Sequence, residues 1–145
     1  MSAGAAAPLG MRDNNPWNLQ QAHIPWLGLA PDQAPAGELV FLDLVDGIRA
    51  GVRLCWTYQS EGKDTPLKFV TSFSPASAGN PTAQYVANVC KWSGFDFDQA
   101  IDFHDPPTLI KWARCIWRQE QGQQFAESIT DEQIMAAIKA AEESQ

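Results

Sequence analysis

A carboxylate lies on a helix face that should be apolar. Residues 106–121 predict a helix, and at about 100° per residue the Glu120 side chain points to the same side as Leu109, Ala113 and Ile116. Burial of a lone carboxylate costs several kcal/mol unless it is paired or protonated. A carboxyl group that stays protonated near neutral pH can act as a general acid, so Glu120 is the candidate catalytic residue.

Two structural explanations for Glu120 stay open at this stage. It lies in the last turn of its helix, so its carboxylate could reach past the apolar face to water. It could also form a structural ion pair with Arg12 or Arg49.

An asparagine-rich segment near the start of the chain offers groups that suit sugar binding. Asn14, Asn15 and Asn18 carry amide donors and acceptors on short side chains, and Trp26 follows closely. Such amides match sugar hydroxyl and acetamido groups, and an indole face can stack on a sugar ring. The alternative is an ordinary surface turn, because the Asn-Pro sequence alone favours one.

A tyrosine lies on the inward face of another predicted helix. Residues 80–93 predict this helix, and Tyr85 shares its inward stripe with Val89 and Trp92. Tyr85 is either a core residue with its hydroxyl satisfied near the surface or a member of the same site as Glu120.

The elements that must position these groups form a mainly α single domain. Five helices are predicted, over 43–58, 65–73, 80–93, 105–121 and 130 to near the C-terminus. Capping residues and glycine or proline breaks mark their ends. The first of these places Ile48 and Val52 inward and Arg49 and Arg53 outward, and Gly51 indicates close helix packing. Residues 1–10 are expected to be a flexible lead before a domain over 11–145. The stretch 11–38 is expected to be loop-rich, followed by one short strand over 38–42.

Composition excludes several classes of function. The chain has 145 residues, 45% of them hydrophobic, and a net charge of −7, which argues against electrostatic binding of nucleic acid or an anionic membrane. No signal peptide or membrane span is visible, and the spacing of Cys and His residues indicates neither zinc nor another metal. We expect no cofactor, and three reduced thiols within helices: Cys55, Cys90 and Cys115.

Two of these segments resemble a known superfamily. The pattern Thr82-x-x-Tyr85-Val86-x-x-Val89 resembles the tyrosine motif of lytic transglycosylases of the goose-lysozyme superfamily. Glu120 followed by Gly122 at a helix end resembles the catalytic-glutamate helix of that superfamily. The order is reversed here, since Tyr85 precedes Glu120, which is what a circularly permuted lysozyme-like fold would produce.

The span 11–141 is also similar to small phage virion-associated lysozyme-like proteins. Their opening Arg-Asn-Asn-Asn-Pro-Gly-Asn-Ile corresponds to residues 12–19, their Trp-x-Gly to 26–28 and their Gly-Ile-Arg-Ala to 47–50. Asp13 replaces an asparagine of this pattern, and Trp17 replaces a glycine. A bulky residue at position 17 could reshape the substrate cleft or close it.

The resemblance implies a phage-encoded enzyme that cleaves the β-1,4 bond between N-acetylmuramic acid and N-acetylglucosamine in peptidoglycan. Glu120 would be the single acid and base, with a substrate-binding set of Tyr85, Asn14, Asn15, Asn18 and Trp26. The expected partners are peptidoglycan glycan strands and other virion proteins. The protein would be made in the host cytoplasm and act from the virion or in the periplasm. The alternative is an inactive lysozyme-like virion component or a peptidoglycan-binding adaptor.

Overall fold

The computed structural model of this protein describes residues 9–20, 24–33 and 37–143, and these ranges are mainly helical, as predicted. The α-helices are α1 (Leu9–Arg12), α2 (Leu44–Ser60), α3 (Pro66–Phe73), α4 (Thr82–Ser93), α5 (Pro106–Gln121), α6 (Gln123–Ser128) and α7 (Asp131–Glu143). A short 3-10 turn covers Ala76–Ala78.

The five predicted helices are all present, and most begin at the predicted capping residue. Thr65 accepts a hydrogen bond from the Lys68 backbone at the start of α3, and the Asp105 carboxylate does the same for Thr108 at the start of α5. At α7, Gln133 N donates to Thr130 Oγ1 (3.1 Å) and Thr130 N donates to Gln133 Oε1 (2.8 Å). This reciprocal pair confirms the predicted capping box.

Two predictions about the loop-rich part of the chain need correction. Leu9 and Gly10 belong to α1, so helical structure begins inside the predicted lead; residues 1–8 of that lead lie outside the described residues. The segment 38–42 is not a strand but forms isolated antiparallel bridges, Gln20 with Glu38 and Leu29 with Phe41. No ladder develops because successive residues bond to different loop segments: Leu39 N donates to Leu19 O and Leu42 N to Gly28 O, both at 2.8 Å.

Arg49 was expected on the outer face of α2, but only 3% of it is exposed. The reason is that α7 packs along this side of α2, where Arg53 Nη1 donates to Ala141 O at 3.3 Å. Burial lowers the pKa of the Arg49 guanidinium, the neighbouring Arg53 lowers it further, and Asp46 opposes the shift.

The core lies around α5, which contacts α1, α4, α6 and α7. Trp112, Ile116 and Trp117 on α5 are completely buried. The cysteines are free thiols, and each lies within a helix as predicted. No helix among the described residues is long and apolar enough to cross a membrane. Glu120 lies in the last turn of α5.

Candidate functional site

Glu120 receives hydrogen bonds from two segments that are distant in sequence. Asn18 Nδ2 donates to Glu120 Oε1 at 2.8 Å, and Tyr85 OH donates to Glu120 Oε2 at 2.9 Å. In the described part of the chain, no ion pair joins Glu120 to Arg12 or Arg49. The carboxylate is half-buried and is held by neutral donors.

Opposing effects set the acidity of Glu120. Burial raises its pKa above the ordinary value of 4.5, the bonds from Asn18 and Tyr85 lower it, and the negative charge of Glu38 raises it. Burial is the largest of these effects. The group is thus shifted in the direction that a general acid requires, while both oxygens keep a donor that can stabilise the ionised form.

Tyr85 supports the carboxylate from within the core. Its ring is 3% exposed, on the face of α4 that packs against α5. Burial, the charge of Glu120 and the hydrogen bond between them raise the pKa of Tyr85 well above 10, so its hydroxyl keeps its proton. Tyr85 is therefore a core residue whose hydroxyl bonds to Glu120, so the two roles open to it from the sequence are combined. It was also expected to bind substrate, but it does not line the cleft beside Glu120.

The asparagines of the N-terminal loop divide into two kinds. Asn15 is completely buried: its Nδ2 donates to Leu19 O (3.0 Å) and Leu39 O (2.9 Å), and its Oδ1 accepts from Leu19 N. Asn14 Nδ2 donates to Phe41 O at 3.0 Å. Asn14 and Asn15 were expected to bind substrate, but they bond to the loop backbone and do not line the cleft beside Glu120.

Asn18 does line that cleft, and its backbone explains how it gets there. Its φ of 53° lies in the left-handed region, which asparagine tolerates better than most residues. Asn18 N donates to Asn15 O at 3.1 Å, so the loop turns tightly between the two residues. This turn directs the Asn18 amide toward the end of α5.

Trp17 neither fills nor closes the cleft. Its side chain is completely buried, its Nε1 donates to Ile48 O at 3.2 Å, and its ring packs edge-on against Trp117 with 5.3 Å between centroids. Gly51 makes room for the Trp17 indole, whose atoms are the nearest to a Cβ at this position. The sequence had predicted that another helix packs closely here. The indole therefore anchors the loop between α2 and α5.

A cleft of about 650 Å³ opens beside the Glu120 carboxylate. The predicted site residues that line it are Asn18, Trp26 and Glu120. Sequence reasoning missed its other walls, which mix aromatic, apolar and amide groups: Gln20, Leu54, Tyr58, Phe73, Pro75 and Asn80 among them. Tyr58 and Phe73 lie near the ends of α2 and α3 and are half-buried at this cleft, but no pattern in the sequence marked them.

Glu120 is the carboxylate that lines this cleft within the described ranges. Asp13 and Asp43 do not line it, and Glu38 acts on Glu120 through its charge. The described residues include no group of three or more His, Cys, Asp or Glu side chains that could hold a metal ion. One carboxyl group with a pKa raised by burial borders this cleft, and such a group can transfer a proton.

A larger groove, of about 940 Å³, lies between α2, α7 and the turn before α5. Trp56 and His104 stack there with 5.0 Å between ring centroids, and Arg53 covers the Trp56 ring. It contains none of the predicted site residues. We place the candidate site in the smaller cleft, because an acid whose pKa is shifted by burial lies there.

Comparison of the sequence with models of known protein families gives no match, and comparison with curated proteins gives no significant match.

Proposed function

We propose that this protein cleaves the β-1,4 bond between N-acetylmuramic acid and N-acetylglucosamine in peptidoglycan as a lytic transglycosylase. The observation that carries the proposal is the meeting of Asn18 and Tyr85 at the Glu120 carboxylate, which borders the cleft. Neutral hydrogen-bond donors on both carboxylate oxygens, together with burial, suit a group that must give up a proton and then take one back.

In the first step, protonated Glu120 donates its proton to the glycosidic oxygen as the bond from that oxygen to the anomeric carbon breaks. Glu120 is then a carboxylate, and Asn18 and Tyr85 donate to its two oxygens. In the second step the carboxylate removes the proton from the C6 hydroxyl of the muramic acid while O6 bonds to the anomeric carbon. Glu120 is protonated again, a 1,6-anhydro end forms, and no water is consumed.

The number of carboxylates in the cleft favours this reaction over hydrolysis. A common glycosidase needs a second carboxylate about 5–9.5 Å from the first, depending on the stereochemistry. Glu120 is the acid that lines the described cleft walls, so the single-carboxylate reaction is the better match.

The cleft itself suits a glycan. Its volume of about 650 Å³ falls in the usual range for ligand sites of about 300–1,000 Å³. Trp26, Tyr58 and Phe73 offer aromatic surface for sugar rings, and Asn18, Gln20 and Asn80 offer amides for hydroxyl and acetamido groups. A glycan strand of peptidoglycan is therefore the proposed partner, for a phage-encoded protein that acts from the virion or in the periplasm.

The experiment is digestion of purified peptidoglycan by the parent protein, Glu120→Gln and the control Glu127→Gln. Glu127 is an exposed acid on α6 that does not line the cleft, so its variant should match the parent. Glu120→Gln should lose activity by a factor of 10² or more, on the order expected for a general acid. Digestion at the parental rate by folded Glu120→Gln would contradict the proposal.

Analysis of the products separates the remaining possibilities. Anhydro ends support the transglycosylase, and reducing ends indicate a lysozyme-type hydrolase. Binding of peptidoglycan by the parent protein without any digestion would instead support the adaptor or inactive virion component.

A further inference from the structure

Gln121, the last residue of α5, bonds to the loop that carries Asn18. Its Nε2 donates to Asn18 Oδ1 at 2.7 Å and to Pro16 O at 3.4 Å. Asn18 in turn donates from Nδ2 to Glu120 Oε1. A chain of hydrogen bonds therefore runs from the Pro16 carbonyl through Gln121 and Asn18 to the carboxylate.

The direction of this chain follows from the group at its start. A backbone carbonyl can only accept a hydrogen bond, so the Pro16 oxygen favours the orientation of the Gln121 side chain in which Nε2 faces the loop. Because Nε2 can only donate, it favours the orientation of the Asn18 side chain in which Oδ1 faces Gln121. The Asn18 nitrogen is then left facing Glu120, as observed.

Without Gln121 the Asn18 amide would have two orientations of similar steric fit, because the terminal torsion of asparagine is broad and roughly two-fold. In the reversed orientation Asn18 Oδ1 would face Glu120 Oε1. Two acceptors would then meet unless Glu120 carried a proton between them. The protonation state of Glu120 would select the orientation of Asn18.

We propose that Gln121 is a positioning residue that locks the Asn18 amide with its nitrogen toward Glu120, and so keeps a donor ready for the carboxylate. Its effect on catalysis rests on the function proposed above, since the second step needs Glu120 as a carboxylate. The effect of Gln121 on the orientation of Asn18 does not depend on the proposed function. The titratable groups that also act on Glu120 are Tyr85, from α4, and Glu38, from the segment after residue 37. The tests below leave both unchanged.

The experiment is an NMR titration of the Glu120 side-chain carboxyl carbon in the full chain, in the parent, Gln121→Glu and Gln119→Glu. Each variant adds one negative charge beside Glu120, but residue 119 faces Asn88, whose Nδ2 donates to Gln119 Oε1 at 2.9 Å. A glutamate at 121 can accept only, so it should turn the Asn18 amide over. We expect the Glu120 pKa to rise about one unit further in Gln121→Glu than in Gln119→Glu.

The same two charge variants in an Asn18→Gly protein show whether the extra rise of the Glu120 pKa depends on Asn18. Asn18→Gly removes the amide, and glycine accepts the positive φ at this position. In that background the two charge variants should give the same Glu120 pKa. Equal values in the parent background, or an extra shift that persists with Asn18→Gly, would overturn the proposal.

Gln121→Leu covers the case in which Gln121→Glu does not fold, because it removes the amide without adding a charge. Gln121→Leu should raise the Glu120 pKa in the parent background and leave the Glu120 pKa unchanged in the Asn18→Gly background. An unchanged Glu120 pKa in both backgrounds would contradict the proposal that Gln121 fixes the orientation of Asn18. These readouts need no substrate, so a chain that fails to digest peptidoglycan contradicts the proposed function alone. If the chain is active, the alkaline limb of kcat/KM should move upward with the Glu120 pKa in Gln121→Glu.

Discussion

The indole of Trp17 fills the space that a side chain on Gly51 would need. A Cβ atom at position 51 would lie 2.1 Å from Trp17 Nε1, well inside van der Waals contact. Asn18 follows directly in the chain, so this packing against α2 helps to place the amide that contacts Glu120. A core contact and the candidate site are thus joined through two consecutive residues.

Gly51→Ala should lower the free energy of unfolding by about 2 kcal/mol, as overpacking of a well-filled core does. Urea denaturation measures this change. In a Trp17→Ala background the same substitution should cost much less, because the atoms that it meets are gone. An equal cost in the two backgrounds would show that the indole does not occupy this space.

Substitution of Asn15 should mainly lower the free energy of unfolding, whereas substitution of Asn18 should mainly change the Glu120 pKa. Asn15→Ala removes a buried side chain with three hydrogen bonds to backbone groups and should cost about 2–3 kcal/mol of unfolding free energy. Asn18→Gly should cost less than about 1 kcal/mol while raising the Glu120 pKa, since it removes a donor to the carboxylate. Denaturation and carboxyl NMR titration of both variants make the comparison, and the reverse pattern would refute the division of roles.

Tyr85→Phe should raise the Glu120 pKa, because the tyrosine hydroxyl donates to Oε2 and thereby favours the ionised form. We also expect peptidoglycan digestion to fall about 10-fold to 100-fold, the scale of losing one positioned donor. Tyr58→Phe is the matched control for the titration, since Tyr58 lines the cleft without bonding to Glu120. A Glu120 pKa that responds equally to both substitutions would contradict the assigned contact.

The raised pKa of Glu120 predicts how stability depends on pH. The folded state holds this proton more tightly than the unfolded state, whose pKa lies near 4.5. Below pH 4.5 the group is protonated in both states and carries no penalty. As pH rises from there through the folded pKa, the folded state loses stability, by about 1.4 kcal/mol for each unit of difference between the two pKa values. Glu120→Gln should therefore gain stability relative to the parent as pH rises above 4.5 in urea denaturation, and a constant difference would exclude this origin.

Trp26→Ala should weaken glycan binding with little change in stability, because Trp26 lies at the cleft wall and is only partly buried. Loss of one stacking surface corresponds to about 1 kcal/mol, or about a fivefold rise in KM. The neighbouring Leu27 is exposed and does not line the cleft, so Leu27→Ala should leave KM unchanged. The comparison fails if both variants change KM equally.

Helix positions and the orientation of α5 were predictable because they depend on local patterns. Capping at Asp105 and the apolar spacing around Glu120 act over one or two helical turns, and the structure has the same helix with the same buried face. Local periodicity failed for Arg49, whose burial depends on where α7 packs, and for 38–42, whose bonding partners come from three separate loop segments.

The sequence by itself determined five of the seven helices in the described ranges, most of their buried faces, and the presence of one carboxyl group on an apolar face. Only the tertiary structure decided what that group meets: Asn18 and Tyr85 lie 102 and 35 residues away along the chain. Tertiary packing also decided that Trp17 enters the core, while Asn14 and Asn15 hold the loop. The physical reason is that spacing along one helix fixes which face a residue occupies, whereas the groups that reach it from other segments depend on how loops and helices pack together.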